Sequence, residues 1–129
     1  MYSVIRFNAR EGAAVDALSE AAKRLNERVS GMFTGFDAVH DRFSCTLSSA
    51  PVELHEEEVV SKVQCCAPVI QWALANAISV DVDVAVEDDC PAGAGWRELQ
   101  FSNRTLRLFG ELGVNLIITI YDNSAESDP

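Results

Sequence analysis

Positive charge nearly disappears from this chain after residue 50. Residues 1–50 set six acids (Glu11, Asp16, Glu20, Glu27, Asp37, Asp41) against six bases (Arg6, Arg10, Lys23, Arg24, Arg28, Arg42). Residues 51–129 set fourteen acids against Lys62, Arg97, Arg104 and Arg107 alone, so the whole net charge of −10 lies there. Nucleic acid is therefore not an expected partner, because affinity for phosphates depends on Lys and Arg that neutralise them. A basic partner fits, since complementary potentials speed encounter and suppress wrong pairings. Solubility alone explains an acidic surface equally well.

Cysteine is sparse. Cys45 and Cys90 stand alone, Cys65 and Cys66 are adjacent, and there is no CxxC. Reduced, buried thiols are expected, and neither the cysteines nor the two distant histidines offer the paired spacing of a zinc site. No apolar run approaches the ~18 residues of a membrane span. The opening MYSVIRFNAR has no basic stretch followed by an apolar one, so no secretory signal is read there. The chain is expected to be cytoplasmic, with no membrane partner, no metal and no cofactor.

Catalytic signatures are missing too. There is no GxSxG and no cysteine–glycine nucleophile frame. GAGW at 93–96 lacks the context of a phosphate-binding loop. His40, in a turn beside Asp41, and His55, before an acidic helix start, read as surface or capping residues. The expectation is a protein that is not an enzyme.

What is present is pattern. Residues 2–8 alternate as a strand, with Ser3, Ile5 and Phe7 on one side. Val15, Leu18, Ala22, Leu25 and Val29 mark an amphipathic helix over 12–29, stopped by Gly31, with Glu20–Arg24 and Lys23–Glu27 spaced to pair on its wet face. Residues 32–38 and 42–48 read as a hairpin turning at Val39-His40-Asp41. A second helix carries Val59, Val63, Cys66, Ile70, Leu74 and Ala77 inward and Glu56, Glu57 and Glu58 in its first turn. Pro68 predicts a kink or a break into two short helices.

Residues 79–87 form a strand, 96–101 a short one, 103–112 a helix ended by Gly113, and 114–121 a last strand. That last strand is apolar on both faces, as a central, doubly covered strand would be. The order β-α-β-β-α-β-(β)-α-β predicts one α+β domain over 1–122, followed by a polar tail at 123–129. Its sheet, mixed or antiparallel, has five to six strands with about three helices packed on it, and the first elements resemble a ferredoxin-like split unit.

The stretch SVDVDVAVEDDC, 79–90, carries the sharpest candidate site. Val80, Val82, Val84 and Val86 take the buried face, which turns Asp81, Asp83, Ala85 and Glu87 outward. Wet carboxylates with no desolvated neighbour are unsuited to acid–base work, and no further oxygens converge as a hard metal requires. A row of like charges does suit a basic protein. The expected partner-binding residues are Asp81, Asp83, Glu87, Asp88 and Asp89, with Trp96 and Glu98 beside them, Trp being enriched at binding hot spots.

The segment WRELQFSNRTLRLFGELGVNLIITIYDN resembles the end of a family of small bacterial domains of unknown function, with the likeness extending over residues 55–122. More broadly, the chain resembles the immunity proteins of bacterial polymorphic-toxin and contact-dependent growth inhibition systems. That resemblance implies a small acidic protein that neutralises a cognate, basic toxin domain by binding it. The competing expectation is a small ligand-binding or enzymatic domain with a pocket between helix and sheet, in which His40 or His55 would meet a carboxylate.

Overall fold

A computed structural model of the chain describes residues 1–29, 33–88 and 100–122, leaving aside the side chains of Phe33, Thr34, Val52, Asp88 and Asp122. The elements run β1 (Tyr2–Ala9), α1 (Ala17–Arg28), β2 (Phe33–Asp37), β3 (Arg42–Ser48), α2 (Val52–Ala75), β4 (Ile78–Asp88), α3 (Asn103–Leu112) and β5 (Asn115–Asp122). The fold is α+β, and the five strands form one mixed sheet in the order β2-β3-β1-β4-β5. The first four strands have the arrangement of a split βαββαβ unit. A sixth strand was expected at 96–101; most of that stretch lies outside the described residues, and Gln100 and Phe101 are not in a strand.

Alternation builds the core. Ile5 and Phe7 of β1, Phe43, Cys45 and Leu47 of β3, and Val80, Val82 and Val84 of β4 are all fully buried on one face. Phe7 and Phe43 are cross-strand partners whose rings stack at 4.7 Å. Each buried ring contributes about 2–3 kcal/mol through the area it removes from water. α1 and α2 cover this face together, and α3 leans on α2 and β5.

Three helix expectations need correction. α1 starts at Ala17, later than its stripe suggested, so Val15 falls ahead of the helix and is fully exposed. α2 continues as one helix through Pro68, so the break into two short helices does not occur. Proline removes a backbone donor and crowds the preceding turn, and in that turn Arg28 Nε of α1 donates to the Cys65 carbonyl at 3.2 Å. Leu74 is not sealed in the core; Trp72 is half-buried, with the Arg24 guanidinium 4.6 Å above its ring. The expected Glu20–Arg24 pair is present at 3.1 Å.

β5 lies parallel to β4, which demands a crossover, and α3 supplies it. α3 is capped at both ends. Ser102 Oγ accepts the Thr105 N–H at 3.3 Å, and Gly113 closes the helix in the left-handed region at φ 78°. A side chain at 113 would be doubly disfavoured, since its Cβ would also lie 3.1 Å from Leu74 Cδ1.

Glu56 of α2 completes the N-terminal cap from outside, accepting the Ser102 N–H at 2.8 Å and the Thr105 hydroxyl at 2.5 Å. A capping box normally takes that carboxylate from the helix itself; here Thr105 fills the position and the acid comes from a neighbouring helix. Thr105's hydroxyl, and then the Ser102 amide, hold the Glu56 carboxyl below its ordinary 4.5. A lowered folded-state value means the stabilisation is complete above pH 4.5 and is lost as pH falls through the folded value. Glu56→Gln keeps an acceptor but removes its charge, so stability at neutral pH should fall by about 1 kcal/mol. The variant's acid branch below pH 4.5 should also be flatter in urea titrations run across pH.

Candidate partner-binding face

Because α1, α2 and α3 gather on one side, the opposite face of the sheet carries no helix among the described residues. The even-numbered residues of β1 and of β3 up to Thr46, and the odd-numbered residues of β4 and β5, point to it. The parallel register places Asp81 beside Asn115, Asp83 beside Ile117, Ala85 beside Thr119 and Glu87 beside Tyr121. β1 runs along the other side of β4, with Arg6 opposite Asp81 and Val4 opposite Asp83.

Asp81 and Asp83 do face outward, but they are not an unpartnered row of charges. Arg6 Nη2 pairs with Asp83 Oδ2 across β1–β4, and the two side chains are only 18% and 13% exposed. Thr119 Oγ1 donates to the same carboxylate from β5 at 2.8 Å. Asp81 accepts from Asn8 Nδ2 at 2.9 Å and from Asn115 Nδ2 at 3.1 Å. The repulsion expected between neighbouring carboxylates is thus relieved locally, and both acids stitch β1, β4 and β5 together. Asp83 is neutralised by a cation, whereas Asp81 is held by amides that leave its charge intact.

Towards β3 the face continues with Tyr2 Oη and Thr46 Oγ1 at 3.0 Å, and with Arg42 3.5 Å from Asp37. Of the remaining sequence candidates, Glu87 is exposed near the carboxyl end of β4. Asp88 is its last residue, placed by backbone register beside Asp122. Asp89, Trp96 and Glu98 lie outside the described residues. The structure therefore brings Asp81, Asp83 and Glu87 onto one face and adds Arg6, Asn8, Asn115 and Thr119, which sequence reasoning had not assigned to it.

Of the two histidines, His55 departs from the role expected of it and His40 does not. His55 is neither a surface nor a capping residue; it is 1% exposed and ties β1 to the turn that precedes α2. Its Nδ1 lies 3.0 Å from the Ala50 carbonyl, which only accepts, so Nδ1 carries the proton. Its Nε2 lies 2.5 Å from the Ser3 hydroxyl oxygen. A serine and an oriented histidine at this distance resemble a nucleophile and its base, but Ser3 is 0% exposed and no substrate reaches it.

His40 is exposed in the β2–β3 turn, its Nδ1 2.7 Å from Asp37 Oδ2. That contact holds the Asp37 carboxyl below the usual range. His40 lines none of the grooves found among the described residues.

Those grooves are shallow. One, of about 470 Å³, runs between α1 and Phe36. Another of similar volume lies between α2 and α3, lined by Glu53, Glu56, Glu57 and Arg104 among others. Among the described residues no three His, Cys, Asp or Glu side chains converge as a metal site needs. Cys45 and Cys66 are buried while Cys65 is exposed, and burial pushes the Cys66 thiol up to about 11, far from a reactive thiolate. No helix among the described residues is long and apolar enough to cross a membrane. No family model and no curated protein matches this chain.

Proposed function

We propose that the protein is an inhibitor of the immunity type, which binds and neutralises a cognate basic toxin domain. The observation that carries this reading is the helix-free face itself. Its polar side chains are locked in place by cross-strand hydrogen bonds, from Tyr2–Thr46 through Arg6–Asp83 to Thr119. A surface whose polar side chains are already held loses little conformational freedom on docking, which suits a protein partner. The acidic balance of the second half of the chain supplies the complementary potential. The alternative of a catalytic or ligand pocket needs a histidine and a carboxylate converging in a cavity, and the described grooves do not bring them together.

The structure refines which substitutions test the site. Asp83 holds Arg6, so changing it disturbs the sheet as well as the surface. Asp81→Asn combined with Glu87→Gln removes two charges from the face and leaves that ion pair intact. Against the proposed cognate basic toxin domain, the double variant is expected to bind about tenfold more weakly at low salt, mainly through slower association. The difference should shrink as salt rises. Equal binding by variant and wild type at low salt would remove these residues from the interface.

A further inference from the structure

Among the described residues, β5 carries four exposed large apolar side chains, Ile117, Ile118, Ile120 and Tyr121. Among the described residues β5 pairs only with β4, so one row of its backbone N–H and C=O groups faces away from the sheet. Ile117 and Tyr121 are 37% and 53% exposed on the helix-free face, and Ile118 and Ile120 are 46% and 68% exposed on the other. Asn115–Tyr121 contains no charge and no proline, two of the usual devices that blunt an edge. The opposite edge differs: β2 has only five residues, with Gly35 at φ 145° and a register shift beside it.

We propose that β5 is completed by an extended basic segment of the protein partner, which adds to the sheet as a further strand. This rests on the inhibitory reading above and specifies how the partner engages. Charge selects the occupant. The parallel register sets Glu87 beside Tyr121 and Asp88 beside Asp122, which brings three acidic residues to one end of the β4–β5 pair. Asp81, its charge uncancelled, sits beside Asn115 at the other end.

A second copy of this chain fits less well. Antiparallel pairing about Ile118 would keep like faces together, with Leu116 opposite Ile120. It would also bring Asp122 of each copy beside Val114 of the other, one strand from Asp81, with no base on either strand to offset it. A segment alternating apolar residues with Lys or Arg meets the isoleucines on one face and the carboxylates at both ends.

The test uses the full chain and two short synthetic peptides, one alternating valine with lysine and one alternating valine with glutamate. The lysine peptide is expected to slow amide hydrogen exchange across Asn115–Tyr121 about tenfold, and the glutamate peptide not to. Ile120→Lys puts a charge on the edge at a position that is already 68% exposed, so the fold is retained while that protection is lost. Protection elsewhere, or none, overturns the proposal. Protection of β5 that grows with protein concentration and needs no peptide would make a second copy the occupant and overturn it equally. If the toxin domain binds wild type and Ile120→Lys alike but loses affinity for Asp81→Asn/Glu87→Gln, strand addition fails while the inhibitory reading stands.

Discussion

Asp83→Ala is expected to lower the free energy of unfolding by about 3 kcal/mol, one of the two largest effects expected of a single residue in this fold. Arg6 lies in the middle of β1, 18% exposed, and Asp83 is its ion-pair partner. Its buried Nε has no hydrogen-bond partner among the described residues, so the guanidinium depends on this carboxylate for compensation. Removing the carboxylate strands a charge against the sheet and also costs Thr119 its acceptor, which loosens β5. The pair itself need not be strongly stabilising, because desolvating two charges offsets much of their attraction. Arg6→Met combined with Asp83→Leu should therefore recover most of what Asp83→Ala loses. Urea unfolding of the two variants checks this: a loss below about 0.5 kcal/mol for Asp83→Ala would mean that the pair is a solvated surface contact.

The second large effect is at His55. His55→Leu keeps roughly the volume but leaves the Ser3 hydroxyl and the Ala50 carbonyl buried without their partners. Each unsatisfied group costs about 1–3 kcal/mol, and about 3 kcal/mol is expected for the pair. Ser3→Ala in the same background removes one orphan and should restore part of the loss. Additive costs in this cycle, with no recovery, would show that the serine and the histidine are not coupled. Because Ser3 and His55 are sealed from solvent, neither substitution should change binding beyond its effect on the folded fraction.

The elements with clean periods are legible in the amino-acid sequence alone. Residues 2–8 and 79–87 alternate strictly, so both the buried valines and the outward aspartates follow from the pattern. The partners of those aspartates do not, because Arg6 and Asp83 are separated by 77 residues and meet only because β1 lies against β4. β5 misleads for a physical reason: a strand apolar on both faces usually lies inside a parallel sheet, yet among the described residues it is outermost and its isoleucines remain exposed. His55 is obscured by its neighbours. Three glutamates follow it and suggest a wet helix start, while the serine that satisfies it is 52 residues away on another element. α2 runs through Pro68 because tertiary packing on β3 and β4 outweighs one lost backbone bond.

Binding of a basic toxin domain through the helix-free face and the β5 edge is tested most directly by backbone amide shifts and hydrogen exchange, recorded on the labelled chain with and without that domain. The predicted result is an equimolar complex with changes concentrated on β4 and β5, on both faces of β5, and a complex that weakens as salt is raised. An equimolar complex whose changes lie on α1 or in the α2–α3 groove, with β4 and β5 untouched, would contradict it.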